Sequence, residues 1–358
     1  MKKKDLIITI IFILFLIGPN CLYFIFKSKV DNSNYENREL NQKPVLELET
    51  IQEFSKNYEK YFNDNLPFKN QIIKLRSNIL YKVFNTSAID RVIIGKDEWL
   101  FYNSGVTGDG DSISDFRRTN SFSIDELEKI KETLINTKNK LNKNDIDFYV
   151  LILPNKENVY SDYIPKIITK KDNKFTKTEN LINYLEEETN LDIIYPKDKL
   201  ILERKIEETY YKYDTHWNSY GAYLGVKELM SKIDNKFIIE KPKIKYEDFS
   251  GDLASMNSMP YLNNKEPIVD IYEDITFNCD EDKEFKNCTS NGKIDKTIMV
   301  VGDSFRNATI NYLAKIYKNS IFVHINAYDK EFIKKYNPDI VVLETVERYS
   351  YILQIDFI

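Results

Sequence analysis

Asp214-Thr215-His216-Trp217 and Gly302-Asp303-Ser304-Phe305 hold the three residue types of nucleophilic acyl chemistry. A serine hydroxyl is a weak nucleophile until an imidazole takes its proton, and a carboxylate fixes the imidazole tautomer and stabilises the imidazolium. The protein has only two histidines, and His216 is two residues from an aspartate. Asp and His at that spacing can meet side by side in a turn or extended segment, leaving the far imidazole nitrogen for a hydroxyl. Ser304 follows an apolar run, Thr297-Ile298-Met299-Val300-Val301, through a glycine turn into a predicted helix. Its backbone N–H would then sit at a helix start, where it can help hold an oxyanion. The two segments are far apart in sequence, so a fold must bring them together. Each segment alone has a plainer reading, because Asp and Ser commonly cap helices.

The elements that must do this positioning read as strand–helix alternation. Ser123 with Glu126 predicts a capped helix whose apolar face is Leu127, Ile130, Leu134 and Leu141. Asp147–Leu153 reads as a strand buried on both faces. A helix with Leu181, Ile182 and Leu185 leads to a strand at Leu191–Tyr195, and Asn218 caps a helix burying Ala222, Val226, Leu229, Met230 and Ile233. After a stretch read as irregular (236–292), strands at 297–301, 321–325 and 339–344 resume the alternation. This pattern predicts an α/β, three-layer fold, a mostly parallel sheet with helices on both faces. Ligands bind such sheets at the carboxyl ends of the strands, which puts Ser304 and the Asp214/His216 loop on one functional rim. His324, in an apolar strand, reads as a core or rim histidine rather than a catalyst.

Before this domain, assigned to 116–358, come two further segments. Lys2-Lys3-Lys4 precede an uncharged apolar run from Leu6 to Phe26, long enough for the roughly 20 residues that cross a bilayer as a helix. The lysines predict a cytoplasmic N-terminus, although Lys27 and Lys29 reduce the charge asymmetry. No small-x-small cleavage site follows, so 1–27 reads as an uncleaved transmembrane signal anchor rather than a removed signal peptide. Pro19 and Asn20 before Cys21 do not fit a lipoprotein site. Residues 28–115 read as an extracytoplasmic linker and accessory segment: a helix capped by Thr50 and Glu53, a second helix from Lys69 to Phe84, and a hairpin over Ile93–Tyr102.

The 358 residues are 42% hydrophobic and 30% charged with a net charge of -5, a globular composition without the basic stripe of a nucleic-acid binder. Two histidines and dispersed carboxylates offer no metal-ligand spacing, and no glycine loop cradles a phosphate, so neither metal nor cofactor is expected. Cys279 and Cys288 flank a charged stretch; outside a membrane they can form a disulfide, and two free thiols are the other reading.

Taken together, Asp214-Thr215-His216-Trp217-Asn218 with Gly221-Ala222, and Gly302-Asp303-Ser304-Phe305, resemble the SGNH-hydrolase-like proteins of the alginate O-acetylation type (AlgX/AlgJ-like) and their clostridial relatives called DHHW proteins. Pro154-Asn155-Lys156, Gly251-Asp252-Leu253, Trp99-Leu100-Phe101-Tyr102 and Glu347-Arg348-Tyr349 add to the resemblance, which covers the chain from about Asn37 onward. Thr215 departs from the second residue of the DHHW name. The resemblance implies an SGNH/flavodoxin-like fold and an extracytoplasmic polysaccharide O-acetyltransferase, with Ser304, His216 and Asp214 catalytic through an acetyl-serine intermediate. A polysaccharide substrate and a multi-pass membrane acyltransferase that supplies acetyl groups are the partners it implies. An O-acetylesterase of the same fold, or a non-catalytic envelope scaffold that binds glycan, are the alternatives. Asn155, following a buried strand, is a candidate second oxyanion donor, or a turn residue after Pro154. Glu347 and Arg348 are expected to be structural, as an ion pair near the rim.

Overall fold

The computed structural model describes residues 3–31, 39–47, 51–172, 174–280, 282 and 284–356. The chain divides into two compact units, Met1–Ala88 and Ile89–Ile358, so the hairpin belongs to the second.

The first unit holds helices Lys3–Phe26, Ile51–Asp64 and Lys69–Phe84. Over Lys4–Lys29 it is long and apolar enough to cross a membrane. Thr50, read as a helix cap, and Asn37 lie outside the described residues. Helix Lys69–Phe84 ends at Asn85, a left-handed residue (φ 48°) whose N–H reaches back to the Leu80 and Tyr81 carbonyls.

The second unit is built on a seven-stranded sheet. Its strands, with the small pairs, are β1 (Val92–Ile94), β2 (Leu100–Tyr102), β3 (Asp147–Leu153), β4 (Ile193–Ile194), β5 (Lys243–Phe249), β6 (Asn264–Asp270), β7 (Phe277–Cys279), β8 (Phe285–Ser290), β9 (Ile294–Gly302), β10 (Tyr317–His324) and β11 (Ile340–Val346). The main sheet runs β4-β3-β11-β9-β10-β8-β7. Its first five strands are parallel, and β8 and β7 extend it antiparallel. Both faces are buried. Along β9, Ile298 and Val300 enter one core and Met299 and Val301 the other; β3 and β11 alternate in the same way. Helices 124–142 and 177–188 cover one face through Ile130, Leu134, Leu181 and Leu185. Helices 219–233 and 310–316 cover the other through Ala222, Val226, Leu229 and Leu313. The result is the three-layer α/β fold, a mostly parallel sheet with helices on both faces, expected from the strand–helix alternation.

The stretch read as irregular is not so. It contains β5 to β8, two antiparallel pairs. β5 is exposed along nearly its whole length and is rich in charge, so no apolar face marked it; its stability comes from backbone pairing to β6. In the β7–β8 hairpin Cys279 lies opposite Cys288, and the two form a disulfide. The strand read over 191–195 shrinks to Ile193–Ile194.

Candidate active site

Three loops converge at the carboxyl ends of the parallel strands: the turn after β9 carries Ser304, that after β3 carries Asn155, and that after β11 carries Glu347 and Arg348. Asp303 fixes the first. Its Oδ1 accepts from the Phe305 N–H (2.9 Å) and caps the 3-10 turn Ser304–Thr309. Its Oδ2 accepts from the Val346 N–H (2.8 Å), tying the turn to the end of β11. Asp303 therefore does the capping, and the Ser304 hydroxyl is left for other use. Gly302 is needed for space: a Cβ there would come within 2.0 Å of Glu344 Oε2.

The histidine loop is closed by a bridge between Tyr210 and Trp217. Within it Asp214 makes a short side-chain turn, Oδ1 accepting from the His216 N–H at 2.9 Å, as Asp does where a chain reverses. That turn brings the two side chains together, with His216 Nδ1 2.7 Å from Asp214 Oδ1. On the other side His216 Nε2 is 2.7 Å from Ser304 Oγ. The Phe305 ring lies against the imidazole, centroids 4.8 Å apart, and its carbonyl accepts from Trp217 Nε1 (3.1 Å). The sheet thus lines up carboxylate, imidazole and hydroxyl from two segments distant in sequence.

Two residues support Asp214 from behind, one at its carboxylate and one at its backbone carbonyl. Asp252, at the start of helix 252–256, donates its N–H to Asp214 Oδ2 (2.8 Å). Its own carboxylate accepts from the Thr215 N–H (2.9 Å) and hydroxyl (2.7 Å), and lies 4.0 Å from His216 Nδ1. Lys156 is buried, and its ammonium donates to the carbonyls of Leu100 (2.7 Å), Lys212 (3.0 Å) and Asp214 (2.9 Å). Burial pulls this ammonium down to about 8 against the attraction of Asp214.

The electrostatics follow from this wiring. Burial pushes the Asp214 carboxyl up, but the hydrogen bond and charge of His216 and the N–H groups of Asp252 and His216 outweigh it and hold the group below its ordinary value. Burial pulls His216 down; the bond to Asp214 and the charges of Asp214 and Asp252 prevail, and the imidazole sits above its ordinary value. Arg348 opposes that rise. Asp252 is raised, by burial first and by the Asp214 charge second. Among the described residues, Asp214, His216 and Asp252 also have donor atoms close enough together for a metal ion. Their oxygens already accept loop N–H and O–H groups, which a cation would have to displace.

The sequence matches, over residues 92–320, the family described as SGNH hydrolase-like domain, acetyltransferase AlgX. The chain belongs to this AlgX-type family. No curated protein matches it. Among solved structures it is similar to Bacillus cereus PatB1 at 16% identity and TM-score 0.52, covering 73% of this chain and 96% of that one. The same protein with a sulfonyl adduct gives 17% identity and TM-score 0.52 over 74% and 96%. A DHHW family protein from Eubacterium siraeum is 14% identical, with TM-score 0.49 over 62% of this chain and 85% of that one. The likeness to PatB1 speaks to the fold.

The other residues read from the AlgX-type resemblance fall as follows. Asn155 is fully buried at the N-terminal cap position of helix 156–159, and neither atom of its side-chain amide has a hydrogen-bond partner among the described residues. The expected Glu347–Arg348 ion pair does not form. Glu347 instead accepts from the Asn155 N–H (2.6 Å), the Asn158 amide (2.7 Å) and the Tyr195 hydroxyl, tying the turns after β3 and β11 together. Arg348 lies over the rings of Tyr349 and Phe305, at 4.9 and 5.5 Å, and shares a small cavity with Thr215, Lys156 and Glu157. Adjacent residues leave the end of a strand in different directions, which is why neighbours in sequence do not pair here. His324 is at the rim, its Nδ1 3.3 Å from Glu284. Sequence reasoning quoted Asp252 and Lys156 only as parts of motifs and missed their support of Asp214. Glu344, fully buried against Gly302, was also missed; an acid closing the apolar run 340–343 was its signal.

Proposed function

We propose that this protein is an extracytoplasmic polysaccharide O-acetyltransferase working through an acetyl-serine. The observation that carries the reading is the continuous relay Asp214 Oδ1–His216–Ser304 Oγ, with 2.7 Å at each step. In the first half-reaction Ser304 Oγ attacks the acetyl carbonyl of the donor while His216 Nε2 takes the hydroxyl proton. Asp214 stabilises the imidazolium. The tetrahedral intermediate collapses to acetyl-Ser304, and His216 returns the proton to the leaving group. In the second half-reaction a sugar hydroxyl attacks the acetyl-serine, His216 takes that hydroxyl's proton, and Ser304 regains it as the acetylated sugar leaves. The developing oxyanion is served by the Ser304 N–H and by the Asn155 amide, whose unspent donors support that role. Water in place of the sugar makes the same site an esterase.

The AlgX-type family and the apolar helix Lys3–Phe26 support placing this chemistry outside the membrane on an anchored polypeptide. Its acetyl groups would come from a multi-pass membrane acyltransferase. A scaffold that only binds glycan has no use for a wired serine.

Ser304→Ala is expected to abolish acetate release from p-nitrophenyl acetate, and His216→Ala to do nearly as much. The double variant should be hardly worse than either, because such residues act as a unit. Asp214→Asn should lose on the order of ten-thousandfold, the effect of the same change in a serine protease. Added oligosaccharide should become acetylated at the expense of free acetate; acetate release unchanged by acceptor would make it an esterase. Undiminished turnover in Ser304→Ala would overturn the acyl-serine reading. PatB1, of similar fold, carries a sulfonyl adduct, so a sulfonyl fluoride is the matching active-site probe.

A further inference from the structure

Helix Lys69–Phe84 carries Lys69, Lys74, Arg76 and Lys82 and no acidic residue. Ile72, Leu75, Ile79 and Val83 recur on one face at helical spacing and are 54, 61, 45 and 69% exposed. The opposite side buries Ser77 and Tyr81. Exposed Arg76 and Lys82 flank the apolar row. Helix Ile51–Asp64 differs: it carries two lysines and three acids, Glu53, Glu59 and Asp64.

The start of the cationic helix is tied to the end of the apolar helix. The Tyr23 and Phe68 rings meet edge-on, centroids 6.0 Å apart. Just past Lys29, the Asp31 carbonyl accepts from the Asn70 amide (3.0 Å), and its carboxylate pairs with Lys74 (2.6 Å). If Lys3–Phe26 crosses a bilayer, these contacts hold the first turn of Lys69–Phe84 at headgroup level. An apolar row flanked by cations on a helix at that level has the composition of an interfacial helix, apolar side toward the acyl chains and cations on lipid phosphates.

We propose that helix Lys69–Phe84 docks on the outer headgroup layer of the protein's own membrane and prefers anionic lipid. The inference rests on the reading of Lys3–Phe26 as a membrane span and adds a second, reversible contact to it.

The test uses the full chain with Cys21→Ser, since Cys279 and Cys288 are bridged. An environment-sensitive fluorophore is attached at Ile79→Cys, and the protein is reconstituted into vesicles of phosphatidylcholine alone or with phosphatidylglycerol. Flotation after a carbonate wash reports the span independently of the dye. With phosphatidylglycerol present, the dye should shift to the blue and be quenched by nitroxide-labelled lipid. Arg76→Glu and Lys82→Glu should each weaken the docked state about fivefold in those vesicles. Water-like emission in protein that still floats would overturn the docking and leave the span standing. A blue shift without lipid quenching would mean that protein covers the row, which also overturns it. Loss of flotation would remove the span and the docking together.

Discussion

His216 is held between opposing influences, and their balance makes its pH behaviour predictable. A general base works as the neutral imidazole, so activity is lost as pH falls through its pKa. Because Asp214 and Asp252 raise that pKa, the acid limb of kcat/KM should lie above the ordinary histidine value of about 6.5. Asp252→Asn removes one raising charge but keeps the backbone N–H that holds Asp214. The acid limb should therefore move to lower pH while kcat at high pH changes little. A pH–rate profile decides this; an unmoved limb would mean that Asp252 carries no charge in the working enzyme. Thr215, the departure from the DHHW pattern, is the residue through which Asp252 grips the loop.

At the scale of elements, the site depends on close approach of backbones. Gly251 has φ -91°, which any residue adopts, so its requirement is space. A Cβ there would lie 2.1 Å from the Tyr213 carbonyl oxygen and 2.6 Å from the Asp214 nitrogen. Gly251→Ala should push helix 252–256 off the Asp214 loop. We expect a fall of about ten- to a hundredfold in kcat/KM, the scale of a small misplacement at a catalytic group, with the circular dichroism spectrum retained. The β7–β8 hairpin is different in kind, since β10 separates it from the strand that carries Ser304. Replacing Cys279 and Cys288 by serine should cost about 2–3 kcal/mol of stability on the chain-entropy estimate, leaving kcat close to the parent value. Urea unfolding with and without reductant measures the first part, and ester hydrolysis the second.

For the whole molecule the test is topology. Val106 is exposed in the sheet-bearing unit, whereas Ser112 and Ile113 close by are buried. In a Cys21→Ser background, Val106→Cys should react with a membrane-impermeant maleimide in intact cells. Reaction only after lysis would place the site in the cytoplasm, away from any extracellular glycan.

The sequence by itself determined what repeats or caps locally. The Ser123/Glu126 capping box, the Asn218 cap and the doubly buried strands were legible because each is a short-range pattern of apolar spacing or turn chemistry. Asp214, His216 and Ser304 were legible as residue types, since few others could perform acyl transfer. Tertiary structure alone decided the distances among them and the partners around them. Strand β5 escaped notice because backbone pairing leaves no apolar period in an exposed strand. The roles of Lys156 and Asp252, and the true partners of Glu347, arise where different loops meet at the sheet's rim. Such contacts join residues far apart along the chain, and no local periodicity encodes them.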